Sequence, residues 1–224
     1  MHIAKLYKEW CANTNKDTSL VFGAISCDPI ANAALNGKWK NSKNEDLNEL
    51  LETFNFVNQH FTRLRCIGVA SSVYHYSGAN LLQTLYFTIA HALEYLNYLN
   101  SKNIPIEQIY NRFSFTANTG LHFFAEISSM RAFYVLWNNL INSISSTKIS
   151  DGFPFIHAQS SVFNWSSKDV NSNLIRATTQ SMAAISGGAT TINVRPFDVL
   201  TGTKNDNSSR ISKNVLLLLK EESF

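Results

Sequence analysis

The side chains best suited to chemistry in this sequence include two histidines. His157 precedes Gln159 by two positions inside the apolar run 153–159, and residues two apart on a strand point to the same side. An imidazole and a carboxamide on one face either contact a ligand or find partners within the protein, because a buried unpaired polar group is costly. His75 lies between Tyr74 and Tyr76, where another apolar run gives out before Gly78. There its ring serves either as a hydrogen-bonding group for a ligand or as a member of a strand-end network. Asn193, Arg195 and Asp198 gather at the exit of a further run, where Arg195 either faces a site or pairs with Asp198.

Other chemistries find little footing. Arg131 and Arg176 fall on helical stretches beside apolar stripes, where ordinary ion pairs with nearby acids are expected before any phosphate contact. His91 and His122 fall on helices, at packing or surface positions. Cys11, Cys27 and Cys66 are odd in number, far apart and without a neighbouring base, which reads as reduced thiols and neither a disulfide framework nor a zinc site. Ser71-Ser72 and Ser160-Ser161 lack the Gly-x-Ser-x-Gly elbow of a hydrolase. No P-loop and no His-Glu-x-x-His appears, so no metal site is expected.

The elements that must position these residues follow a rhythm. Apolar runs at 20–26, 66–74, 112–117, 153–159 and 190–194 read as strands separated by helical stretches. Leu47, Leu50, Leu51, Phe54 and Val57 mark one helix. Leu82, Leu85, Tyr86, Ile89, Leu93 and Leu96 mark another, and Phe123, Ile127, Met130, Tyr134, Trp137 and Ile141 a third. Leu6, Tyr7 and Trp10 give the first helix its apolar side, Asp28-Pro29 stops the first strand, and Gly187-Gly188 closes the helix before the fifth. Alternation of this kind predicts a parallel, helix-covered sheet with any ligand groups at the strand ends. The first strand lacks Gly-x-Gly-x-x-Gly, which counts against a dinucleotide-binding fold.

A chain of 224 residues suits one α/β domain, and we expect 1–224 to form a single unit. Charged residues make up 16%, against roughly 25% in ordinary domains, so part of the surface could serve a partner. The net charge of +3 comes from scattered Lys and Arg, which gives no nucleic-acid footprint. No secretion signal and no membrane-length apolar stretch is present, so the expectation is a cytoplasmic protein without a membrane partner.

Several blocks resemble the methylmalonyl-CoA mutase barrel. They are Val73-Tyr74-His75-Tyr76-Ser77-Gly78-Ala79-Asn80, Ala90-His91-Ala92-Leu93-Glu94-Tyr95-Leu96, Phe124-Ala125-Glu126-Ile127-Ser128-Ser129-Met130-Arg131-Ala132 and Asn173-Leu174-Ile175-Arg176-Ala177-Thr178. Gly187-Gly188-Ala189, Pro196-Phe197-Asp198 and Arg210-Ile211-Ser212-Lys213-Asn214 follow in the family's order, over roughly residues 67–224.

The resemblance implies a (β/α) TIM-type barrel, here a partial one of about five parallel strands with flanking helices. It implies an acyl-CoA substrate and adenosylcobalamin in the parent complex, which interconverts methylmalonyl-CoA and succinyl-CoA. His157 and Gln159 match the family's substrate-facing His-x-Gln segment, while Asn193 and Arg195 match a segment at the active-site mouth. In the family's catalytic chains the Tyr-His pair is followed by two residues and then Glu-Ala-Gly-Ala. Here Tyr74-His75 runs directly into Tyr76-Ser77-Gly78-Ala79, the spacing of the non-catalytic small chain, which makes His75 a vestige of the histidine that holds the thioester carbonyl. The cobalamin ligand segment Asp-x-His-x-x-Gly is absent from the sequence. The expectation is therefore a small, structural chain that binds no cofactor itself and partners a methylmalonyl-CoA mutase large subunit. The alternatives are a fragment of a catalytic barrel, or a free-standing CoA-ester binder whose open edges pair in a homodimer.

Overall fold

The computed structural model describes residues 2–149, 152–202 and 205–223. Its strands are β1 (Phe22–Cys27), β2 (Arg63–Ala70), β3 (Phe113–Thr119), β4 (Phe155–Ser160) and β5 (Thr191–Asn193). They are parallel and lie side by side in chain order. The helices are α1 (His2–Asn13), α2 (Pro29–Asn36), α3 (Lys43–His60), α4 (Ser72–Tyr76), α5 (Leu81–Asn100), α6 (Ile106–Ile109), α7 (Phe123–Ile144), α8 (Ser172–Gly187) and α9 (Asp206–Glu222). Every parallel step needs a crossover, and helices fill each one. Because the strand order never reverses, the helices gather on one side and the sheet curls towards the other.

The curl can be measured from side chains. Phe22 of β1 and Phe155 of β4 bring their rings within 5.7 Å, and Arg65 of β2 lies over both, 5.3 and 4.5 Å from the ring centres. A little further along the strands, Ser26 and Ser114 place their hydroxyls 3.2 Å apart across β2. Gly68 lies between them, and a Cβ there would stand 2.7 Å from Ser26 Cβ. This is a half-barrel of five strands, as the sequence predicts.

On the convex side, Phe113 and Phe115 pack edge-on against Trp137 of α7, and Phe115 also meets Phe133. Leu50, Phe54 and Val57 of α3 and Tyr95, Leu96 and Leu99 of α5 complete the same core. Each such side chain contributes about 2 kcal/mol by leaving water. A second, smaller core joins Ala177 of α8 to Val215 and Leu219 of α9, with Trp165 and Val194.

Some boundaries differ from the sequence reading. The run 66–74 leaves the sheet at Ala70, and residues 72–76 are the helix α4, so His75 is on a helix and not on a strand. Tyr74 and His75 direct their N–H groups back to Ser71 O, which turns the chain before Val73 and Tyr74 can extend it. Asp28-Pro29 does more than stop β1, since Asp28 caps α2 through the Ala31 N–H and Pro29 fills the first helical turn. In α1 the fully buried residues are Ala4 and Cys11, while Leu6 and Trp10 are about half exposed. The inward face is thus Ala4, Tyr7 and Cys11 instead of Leu6, Tyr7 and Trp10.

Candidate functional site

The strand register sets the concave face. His157 pairs with Thr116 on one side and Thr191 on the other, and Gln159 pairs with Asn118 and Asn193. Side chains at these positions share one face, and they bond along it. His157 Nδ1 lies 2.8 Å from Thr191 Oγ1. Gln159 donates from Nε2 to Asn118 Oδ1 at 2.8 Å, and its own Oε1 accepts from Arg195 Nη2 at 3.3 Å. Arg195 also gives its backbone N–H to Ser160 Oγ. The result is a polar strip, Asn118–Gln159–Arg195, with His157–Thr191 one step below it. Asn193 is exposed at the end of the strip, opposite Gln159. Arg195 thus turns to Gln159, which is not the local pairing with Asp198 that the sequence allows.

His75 takes part in a different set of contacts. Its Nε2 is 2.6 Å from Ser161 Oγ, the same oxygen that accepts the Phe163 N–H. The rings of Tyr76 and Phe163 flank it at 5.0 and 5.8 Å. Burial lowers the pKa of both His75 and His157 from the ordinary histidine value, so each favours the neutral ring. Strand geometry puts His157 and Gln159 on one face, as found, and Arg195, expected at the exit of the fifth strand, reaches Gln159 from there. Sequence reasoning had no means of finding Asn118, whose partner lies 41 residues away.

A buried hub at the exits of β1 and β2 escaped notice altogether. Asp28 accepts from the N–H groups of Ala31 and Ala70 and from the Tyr95 hydroxyl, at 2.9, 2.8 and 2.8 Å. His91 Nε2 lies 3.1 Å from the same carboxylate, and its Nδ1 is 3.1 Å from Tyr74 OH. Burial and the Asp28 charge push the Tyr74 phenol up to about 12 and Tyr95 higher still, so both keep their protons. The one sequence signal was His91 standing a helical turn before Tyr95 on a buried face.

Arg131, expected in an ion pair, instead donates to Ser186 O, while Arg176 donates to Asn173 Oδ1 and its charge also favours the Asp169 carboxylate. His122 is exposed at the start of α7. The thiols of Cys27 and Cys66 are pushed up by burial to about 11 and about 12, far from nucleophilic. Among the described residues no three His, Cys, Asp or Glu side chains cluster to hold a metal.

Residues 1–224 match the methylmalonyl-CoA mutase family across the whole chain. The chain belongs to this family.

Among its relatives, the mitochondrial methylmalonyl-CoA mutase of Bos taurus is 30% identical over 175 residues, 78% of this chain and 23% of that protein. The methylmalonyl-CoA mutases of Rhizobium meliloti (strain 1021) and Escherichia coli (strain K12) are 30% and 29% identical over 157 residues, 69% of this chain and 22% of theirs. The chain therefore spans less than a quarter of the length of these curated relatives. None of the three names designates a small subunit.

The family is cobalamin-dependent, and no histidine of this sequence stands in an Asp-x-His-x-x-Gly segment. The imidazoles of His60, His75, His91 and His157 are each engaged with another protein group. Of the remaining histidines, His2 and His122 are exposed and outside any Asp-x-His-x-x-Gly segment. Among the described residues no helix is long and apolar enough to cross a membrane.

Proposed function

We propose that this member of the methylmalonyl-CoA mutase family acts as a structural, non-catalytic chain of the small-subunit kind. In this reading it packs against a large catalytic chain of an adenosylcobalamin-dependent mutase and steadies that chain's barrel. The observation behind it is the state of the polar residues: His75 is bound to Ser161, His157 to Thr191, and Gln159 to both Asn118 and Arg195. Groups satisfied by one another offer a thioester little, because a ligand must first break those bonds. Exposed Leu217 and Leu218 on α9 fit a chain that is covered by a partner. A cytoplasmic setting belongs to the same reading, although the bovine relative is named as mitochondrial.

The names of the relatives favour a second reading, in which the chain is part of a catalytic acyl-CoA mutase and His157 and Gln159 contact the acyl-CoA. One experiment separates the two. The chain is co-expressed with the mutase large chain of the same genome and turnover is assayed with adenosylcobalamin. The structural reading expects a stoichiometric complex whose rate is unaltered by His157→Ala. A large fall in kcat with the complex intact would establish the catalytic reading instead.

A further inference from the structure

Next to the concave strip, whose Asn118 also lines it, α5 and α7 part over β3 and leave a cavity of about 70 Å³. Its walls are mostly apolar, with Leu85, Phe115, Met130 and Phe133 prominent. Into it comes one carboxyl group, that of Glu126, in the first turn of α7. The residue is 6% exposed. Its Oε1 accepts the Gly120 N–H at 2.8 Å, and a Cβ at 120 would stand 2.6 Å from that oxygen, so a larger residue there would displace the carboxyl. Oε2 makes no hydrogen bond to any described residue. The Ser129 hydroxyl, also on the cavity wall, is likewise without a partner there.

We propose that this half-open cavity is a binding site for a short alkyl primary ammonium ion, held by Glu126 with its alkyl chain against Leu85, Phe115, Met130 and Phe133. The volume suits the ligand: it has room for about two water molecules, or for one molecule of about four non-hydrogen atoms. The chemistry suits it too. A buried carboxylate with a free oxygen is stabilised by a cation, and a charge-assisted bond is roughly twice as strong as a neutral one. Thr88 and Ser129 also line the cavity, and a hydroxyl oxygen can accept an ammonium proton.

No rival charge occupies the site. From α5 the groups facing it are Leu81, Leu85, Thr84 and Thr88, from β3 Phe115 to Asn118, from β4 Ile156, and from the β2 exit Ser71; none of these ionises. On α7 itself the nearest charge is Arg131, which is drawn to Ser186 O, and His122 before the helix is exposed. Burial raises the Glu126 carboxyl to about 7, so occupancy should increase as pH rises through neutrality.

The test is an NMR titration of the whole chain with n-propylammonium chloride, read at the backbone amides of Thr88 and Ser129. Four heavy atoms limit the dissociation constant to no tighter than roughly tens of micromolar. The proposal expects saturable shifts at pH 8, weakened about tenfold at pH 5.5 and in Glu126→Gln. Thr88→Leu, which fills the cavity and leaves Glu126 in place, should abolish them. Equal binding of 1-propanol would reduce the site to an apolar void and overturn the proposal. Undiminished binding by Glu126→Gln, or no shift in the unsubstituted protein, would overturn it as well.

Discussion

His75 and Ser161 lie 86 residues apart in sequence, yet their side chains meet at 2.6 Å above the exits of β2 and β4. The contact spans β3, which separates those two strands in the sheet. It therefore depends on the curl of the half-barrel, and it is one of the few polar bonds that reports on that curl directly.

This bond gives a first prediction. Both His75 and His157 have pKa values below the ordinary 6.5 when folded, while in the unfolded chain each titrates near that value. The unfolded state thus takes up protons first as pH falls. Their contribution is present above about pH 6.5 and declines below it. Denaturant melts at pH 7.5 and 5.5 should show a loss on acidification that shrinks in the double variant His75→Gln, His157→Gln.

Glu126 has the opposite sign. Burial raises its folded value to about 7, above the ordinary glutamate value of about 4.5, so the folded state holds the proton more tightly. Stability from this residue is present below about pH 4.5 and falls as pH rises to about 7. Glu126→Gln should be more stable than the parent at pH 8 by about 2 kcal/mol and nearly neutral at pH 4.5. Equal stability at both pH values would count against a buried carboxyl.

Asp28→Ala removes one acceptor from the N–H groups of Ala31 and Ala70 and from the Tyr95 hydroxyl. Orphaned buried donors cost far more than an average hydrogen bond, so a loss of about 3 kcal/mol is expected. Urea unfolding followed by circular dichroism measures it directly. His91→Phe, at the rim of the same hub, should cost less.

Gly68→Ala tests the curl from within. The added methyl would press on Ser26 Cβ at 2.7 Å and on its Cα at 3.1 Å, which should cost about 2 kcal/mol. Adding Ser26→Gly should restore part of the loss, because it removes the closer of those two atoms. A thermal shift series across the two single variants and the double variant gives the coupling.

The strands and long helices were legible because their patterns are local. Phe113 and Phe115 alternate with polar residues, and Leu50, Phe54 and Val57 recur at helical spacing. Also readable was the shared side of His157 and Gln159, which follows from strand geometry alone. What stayed hidden depends on partners far along the chain. Nothing near Asp28 announces that Ala70, His91 and Tyr95 converge on it. The turn at Ser71 was missed because Val73, Tyr74 and Tyr76 are good strand formers, and no side chain caps the helix they enter. Arg131 was misjudged for a related reason: a carbonyl brought close by folding outcompeted the nearest acid in sequence.

The hub at Asp28 also bears on how the chain emerges during synthesis. Its bonds to Ala70 and Tyr95 bridge 42 and 67 residues. A growing chain released only to the end of β2 has the strand but not the hydroxyl that completes the carboxylate's shell. The carboxylate's bonds to Ala31 and Ala70 can form once β2 has emerged, whereas the bond from Tyr95 waits for α5. During that interval β1 and β2 form a lone parallel pair, the kind of long-range pairing that is slow to form.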